Sequence, residues 1–213
     1  FYAQKGVSPE NVLVAPDGVD MEKFKVESPK LEVKEKLGLP LDKKIILYAG
    51  HLYGWKGAQT LVDAVRFWDK EILAVFAGGT DEDIREFRKL NKEKENVLVL
   101  GRKPYAEIPY YLKSADILVL PNRSDNEISQ KYTSPMKLFE YMASGTPIVA
   151  SDLPSIREVL NENNAVLVEP DNPEKLADGI KRVLQDRGFA DTISKQARED
   201  VQNHTWQKKV LRL

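Results

Sequence analysis

Three short stretches of the chain carry side chains suited to gripping an anion and a polyol. The first, GHLYGWKG from Gly50 to Gly57, lies between an apolar run ending at Ala49 and a helix-length segment that begins near Ala58. Glycines allow close backbone approach, amides at a helix N-terminus attract anions, and Lys56 can set a point charge against a phosphate. The spacing is neither that of a P-loop nor that of a GxGxxG fingerprint. A solvent-facing turn whose lysine aids solubility fits the same residues. The second stretch, Ala77 to Asp81, breaks a buried-looking run at Gly78 and Gly79. Gly79 could pass close to a ligand and Thr80 or Asp81 could cap a following helix; a simple tight turn accounts for the same pattern.

The third stretch, SPMKLFEYMASGTPIVASD from Ser134 to Asp152, is the richest. Ser134 suits an N-cap, Pro135 the first helical position, and Gly145 followed by Pro147 the end of the helix. Lys137 and Glu140 are three apart, so they share a face in the first turns, beside unpaired amides that favour an anion. A carboxylate there can accept both hydroxyls of a ribose diol while Lys137 and the amides neutralise a diphosphate. The plain alternative is a solvated Lys137 and Glu140 pair worth roughly 0.3 kcal/mol. Leu138, Phe139, Tyr141 and Met142 assign the other faces to the core, and Glu140 reads as a surface carboxylate that contributes little to packing.

The elements that would hold these stretches follow from hydrophobic patterning. Apolar runs rich in Val, Ile and Leu recur at Val12 to Ala15, Ile45 to Ala49, Ile72 to Ala77, Val97 to Leu100, Ile117 to Leu120, Ile148 to Ala150 and Val166 to Val168. They read as strands buried on both faces. Between them the pattern predicts helices over Ala58 to Trp68, Asp81 to Lys92, Ala106 to Ser114, Met136 to Ser144 and Pro173 to Gln185, with a short one at Leu31 to Leu37. Such alternation predicts a doubly wound α/β domain with a mainly parallel sheet and helices on both faces. Ligands bind such sheets at the carboxyl ends of the strands, where all three stretches fall. The expected organisation is one domain over residues 1–187 and a charged helical extension over 188–213.

Composition excludes several chemistries. With no cysteine there is neither disulfide nor thiolate metal site, and two histidines, His51 and His204, cannot build a His-rich zinc centre, so no metal is expected. A formal net charge of -1 offers no global field for nucleic acid, which is not an expected partner. No apolar run approaches the roughly 18 residues that would span a bilayer, and the opening FYAQKGVSPE lacks signal-peptide features, so a cytoplasmic location is expected. Phe1 is not an initiator methionine, which leads to the expectation of a further segment on the N-terminal side.

The order Gly-x5-Lys-Gly after a strand, the later Gly-Gly turn, NVLVLG, YYLKSADILVLPN and KLFEYMASGTPIVASD resemble the C-terminal domain of family-4 retaining glycosyltransferases of the GT-B type. The likeness runs from about Val12 to about Leu184, and VLVAPDGVDMEKF is similar to that family's segment after the interdomain linker. The resemblance implies that Lys56 contacts the diphosphate of a nucleotide-sugar donor and that Glu140 holds its ribose hydroxyls. It further implies that Gly50, His51, Gly57 and Gly79 line the donor site and that Gly101, Arg102 and Lys103 face the nucleobase. Ser134, Pro135, Met136 and Lys137 would meet the phosphates. The donor is a substrate, and no cofactor or metal is implied.

Two departures stand out. His51 occupies a place where the family commonly has arginine, so its grip on phosphate should weaken as pH rises past the ordinary histidine pKa of about 6.5. Tyr132 stands eight before Glu140, where the family commonly carries a first glutamate; Asp125 and Glu127 lie nearby. The resemblance also implies a glycan or lipid-linked acceptor bound mainly by a missing N-terminal domain, through which peripheral membrane contact would come, and a terminal helix that crosses back near His204-Thr205-Trp206. His204 itself reads as a surface or interface residue. The implied function is donor binding for sugar transfer with retention, in a fragment inactive alone. The alternatives are a noncatalytic sugar-nucleotide-binding module and a related inverting GT-B transferase or epimerase. A dehydrogenase is disfavoured, since no GxGxxG opens a βα unit.

Overall fold

The computed structural model describes residues 5–8, 17–127, 129–130 and 136–210. The apolar runs within them form six strands: β1 (Lys44–Ala49), β2 (Ile72–Ala77), β3 (Val97–Gly101), β4 (Ile117–Leu120), β5 (Ile148–Ser151) and β6 (Val166–Val168). All are parallel, in the order β3-β2-β1-β4-β5-β6. The expected doubly wound sheet is therefore present; the run at Val12 to Ala15 lies outside the described residues. Parallel strands are covered on both faces, and β1 shows why its run is unbroken. Ile45, Leu47 and Ala49 enter one core while Ile46 and Tyr48 enter the other.

Among the described residues nine helices are α-helical: α1 (Lys30–Lys36), α2 (Ala58–Ala64), α3 (Asp81–Leu90), α4 (Ile108–Ser114), α5 (Met136–Ser144), α6 (Pro154–Arg157), α7 (Pro173–Gln185), α8 (Arg187–Asp200) and α9 (Trp206–Val210). Leu112 of α4 and Leu138 and Met142 of α5 fill one core; Leu61 of α2, Phe87 of α3 and Ile180 of α7 fill the other. α8 wraps the sheet edge, with Ala190 and Ile193 in the second core and Ala197 in the first. The helix predicted to reach Trp68 is α-helical only to Ala64 and continues as a 3-10 turn over Val65–Phe67. α3 stops at Leu90 because the buried Asn91 amide turns back onto the Phe87 carbonyl at 2.9 Å. α6 was not anticipated, being too short to show periodicity.

At the amino ends of the strands, Asp116 accepts hydrogen bonds from the Ile45 amide at 2.9 Å and the buried Lys34 ammonium at 3.2 Å, which pins α1 beneath the sheet. The opposite ends carry the candidate loops. Strand order reverses between β1 and β4, the place where an open α/β sheet leaves a crevice at its carboxyl edge. α5, reached from β4, closes one side of that crevice.

Candidate functional site

A cleft of about 840 Å³ lies over the carboxyl ends of β1, β2 and β3, lined by Gly50 and His51, by Gly79 and Thr80, by Arg102, Lys103 and Tyr105, and by Lys137 from α5. Side chains distant in sequence thus face one space. Lys137 passes close to residue 50, which has no side chain: a Cβ there would stand 3.0 Å from Lys137 Cε and 2.9 Å from the Tyr48 hydroxyl. The floor is fixed by Tyr141, whose buried hydroxyl accepts from the Ala49 amide at 2.8 Å. Tyr48 donates to the His51 carbonyl, and burial raises the pKa of both phenols. Thr80 forms a reciprocal cap with Asp83, so the turn after β2 is the capped helix start expected of it.

Lys56 does not line the cleft itself. Its ammonium lies 3.9 Å from the centre of the Trp55 ring and close enough to Lys137 for the like charge to be felt. Burial, then Lys137, lowers its pKa to about 8. Burial lowers the pKa of Lys137 too, although Glu140 opposes the change. Among the described residues no carboxylate is within ion-pair distance of either lysine. Cations held half-buried and unneutralised disfavour their own charge until an anion arrives.

Glu140 corrects the expectation of a surface carboxylate. It is 6% exposed and accepts a hydrogen bond from the Tyr105 hydroxyl at 3.0 Å. Partial burial, then the carboxylate, pushes the Tyr105 pKa up to about 12. Nor is there a solvated Lys137 and Glu140 pair: Glu140 is buried, and the two are not in ion-pair contact. Tyr105 was missed by sequence reasoning; its one signal is its place in the loop GRKPY. His51 is exposed, stacks on Tyr53 with ring centres 4.9 Å apart and planes 1° from parallel, and still borders the cleft. It thus has both contacts, the aromatic one and the cleft one.

Gly57 is packed beneath the site against the Pro121 carbonyl, and Gly101 borders a neighbouring hollow with Arg102. Met136 opens α5 with its side chain exposed. Ser134, Pro135 and Tyr132 lie outside the described residues. Asp125 forms a bidentate pair with Arg123. His204 stacks on Phe139 with centres 4.8 Å apart, away from the cleft. Among the described residues no three His, Asp or Glu side chains converge as a metal site, and no helix is long and apolar enough to cross a membrane.

The sequence profile of the family described as "Glycosyl transferases group 1" matches residues 29–200. The putative teichuronic acid biosynthesis glycosyltransferase TuaC of Bacillus subtilis is 26% identical over 190 residues, which cover 89% of this chain and 46% of TuaC. Anabaena HepE, solved in complex with UDP-glucose, superposes with a TM-score of 0.83 at 20% identity, over 99% of this chain and 58% of HepE. The C-terminal domain of LpcC, a group 1 glycosyl transferase family protein of Francisella tularensis, superposes with a TM-score of 0.73 at 22% identity, over 87% of this chain and 97% of that domain. At those identities the two structures speak for a shared fold. The chain spans about half the length of the curated relatives it matches. By the extent of its profile match and by its parallel sheet, the chain belongs to the group 1 glycosyl transferase family.

Proposed function

We propose that this chain is the donor-binding half of an enzyme that moves a sugar from a nucleoside diphosphate sugar to an acceptor, with retention, the outcome that the family-4 resemblance implies. The observation that carries the reading is the pair Lys56 and Lys137, half-buried beside one cleft, both with lowered pKa and with no carboxylate at ion-pair distance among the described residues. Lys56, Lys137 and the amides opening α5 hold the diphosphate. Charge grows on that group as the sugar departs, and cations and amides already in place stabilise it without reorganising. Glu140 accepts the ribose hydroxyls, oriented by Tyr105. Gly101, Arg102 and Lys103 border the base. No metal is needed, since the lysines supply the positive charge. The acceptor is a glycan or lipid-linked sugar held largely by residues beyond this chain. HepE, of the same fold and solved with UDP-glucose, supports a nucleotide-sugar donor, and the LpcC C-terminal domain supports the division into halves.

A thermal-shift screen against UDP-, GDP- and ADP-sugars tests the reading, because a ligand selective for the folded state raises apparent stability. One of the three is expected to stabilise at micromolar to millimolar concentration; no shift with any of them defeats the reading. The product's anomeric configuration, read by NMR with the whole enzyme, tests retention.

Two further outcomes are expected. Free Lys56 loses its charge around pH 8, and a bound diphosphate favours the charged form and raises that value. Binding should therefore take up a fraction of a proton near pH 8, and affinity should fall as pH climbs through 8 and beyond. Calorimetry in buffers of different ionisation enthalpy measures the uptake; Lys56→Arg should abolish it, and equal uptake in the variant would assign the proton elsewhere. Glu140→Gln keeps the size of a buried side chain but removes its charge. It should weaken nucleoside binding about tenfold, a charged hydrogen bond being worth about 1.5 kcal/mol or more. Unchanged affinity for the free nucleoside would remove Glu140 from the ribose. Glu140→Ala is the poorer probe, since it would also leave a cavity.

A further inference from the structure

Three loops at the carboxyl edge of the sheet are joined by contacts that donor binding does not itself require. The corner Trp55-Lys56-Gly57 is seated on the start of the loop after β4: the Arg123 amide donates to the Trp55 carbonyl at 3.0 Å, and the Pro121 carbonyl fills the place where a side chain on residue 57 would begin. The methylene stem of Arg123 passes beside Gly57, at 3.5 Å from that same place. The loop after β6 grips this seat from the other side. Asp171 Oδ2 accepts from the Ser124 amide at 2.9 Å and from the Ser124 hydroxyl at 2.7 Å, while Oδ1 stands 3.4 Å from Arg123 Nε.

Asp171 is the one described non-glycine residue with a positive φ, at 57°. Left-handed backbone is unfavourable for an L-residue, and aspartate is among the few that tolerate it. A glycine would relax this turn, but it would lose all three carboxylate contacts. Strain kept where surrounding contacts fix it is a reason to look for a role.

We infer that Asp171 is a positioning residue for Lys56, acting through Ser124 and Arg123 to hold the seat on which the Trp55-Lys56-Gly57 corner rests. This rests on the donor-site reading above as regards what Lys56 then does, though not as regards how it is held. A fixed corner keeps Lys56 over Trp55 and against Lys137, the enclosure that half-buries it. A loosened corner admits water to the ammonium.

The test compares the intact wild-type protein with Asp171→Gly and Asp171→Asn. Glycine accepts the positive φ and removes the carboxylate, so the melting temperature should move little. The first readout is the titration of Lys56, followed by NMR after reductive methylation with 13C-formaldehyde. In Asp171→Gly its midpoint should rise by about half a pH unit or more as water reaches it. In Asp171→Asn, whose amide oxygen still accepts from Ser124, it should stay near the wild-type value. The second readout is UDP, GDP or ADP binding, whichever the wild type takes up. Asp171→Gly should weaken it about three- to tenfold with the free nucleoside unaffected, since a misplaced cation costs the phosphates alone. A Lys56 midpoint unchanged in Asp171→Gly overturns the inference, whether or not any nucleotide binds. Failure of the wild type to bind any of the three nucleotides would instead count against the donor-site reading, and the lysine titration would still decide the role of Asp171.

Discussion

Lys56→Ala is expected to weaken binding of the cognate nucleoside diphosphate about tenfold to a hundredfold while leaving binding of the free nucleoside unchanged. The range follows from about 1.5–3 kcal/mol for a hydrogen bond to a charged group. The same change should act in the opposite direction on the empty protein. Lys56 is half-buried, faces the like charge of Lys137 and has no carboxylate neighbour among the described residues, so its ammonium is held against its preference. Replacing it removes that burden and should raise the melting temperature of the unliganded protein by a small amount, on the order of 1–3 °C. Lys137→Ala should resemble it in both respects. The double variant should lose more affinity than the two single losses combined, because in each single variant the remaining lysine is relieved of its neighbour's charge and holds the phosphates better. Titration calorimetry with diphosphate and nucleoside, alongside melting curves, separates the outcomes. Equal losses for both ligands would mean that Lys56 is not a phosphate contact, and a lowered melting point would mean that it supports the fold.

Gly57→Ala is expected to destabilise the protein severely for a residue at a loop corner. Gly57 has φ of 71°, and a Cβ would stand 1.7 Å from the Pro121 carbonyl oxygen, a backbone atom that cannot swing aside. The left-handed backbone costs an alanine about 1–2 kcal/mol, and forcing β4 and its loop away adds roughly 1–3 kcal/mol of overpacking. For a chain of this length each kcal/mol lowers the melting temperature by about 2–4 °C, so a drop of roughly 5–15 °C is expected. Diphosphate binding should fall with it, because Lys56 is the neighbouring residue. Gly54→Ala in the same loop is the control: a Cβ there meets nothing within 4 Å, so its melting point should stay close to wild type. Equal behaviour of the two variants would show that the close approach at residue 57 can be relieved.

Secondary structure and topology class were legible in the sequence because their cause is local and repetitive. Unbroken apolar runs such as Ile72 to Ala77 can only be strands covered on both faces, and their alternation with helix-length segments leaves a parallel sheet as the economical arrangement. The same holds for the position of the site, since the Gly50 to Gly57 loop, the Gly78-Gly79 turn and α5 all follow strand ends. Boundaries slipped where a side-chain hydrogen bond ends an element, as the Asn91 amide does for α3 by turning back onto the Phe87 carbonyl.

What only the tertiary structure decided was which side chains meet and how much water they keep. Spacing placed Glu140 near the start of α5, yet it is buried and its hydrogen-bond partner is Tyr105, brought to it by the loop after β3. Helical periodicity is blind to that partner. Lys56 follows β1 and Lys137 lies on α5, and the like charge of one is felt by the other only because the folded sheet brings those two segments together. The hold of Asp171 on Ser124 and Arg123 has no sequence signature, since an aspartate in a turn looks the same whether its carboxylate faces solvent or a neighbouring loop. Sequence by itself determined the strands, the helices and the residue types at the carboxyl edge, because these follow from local patterning. Distances, burial and charge balance within the cleft come from contacts between segments far apart in the chain, and those exist only once the sheet has assembled.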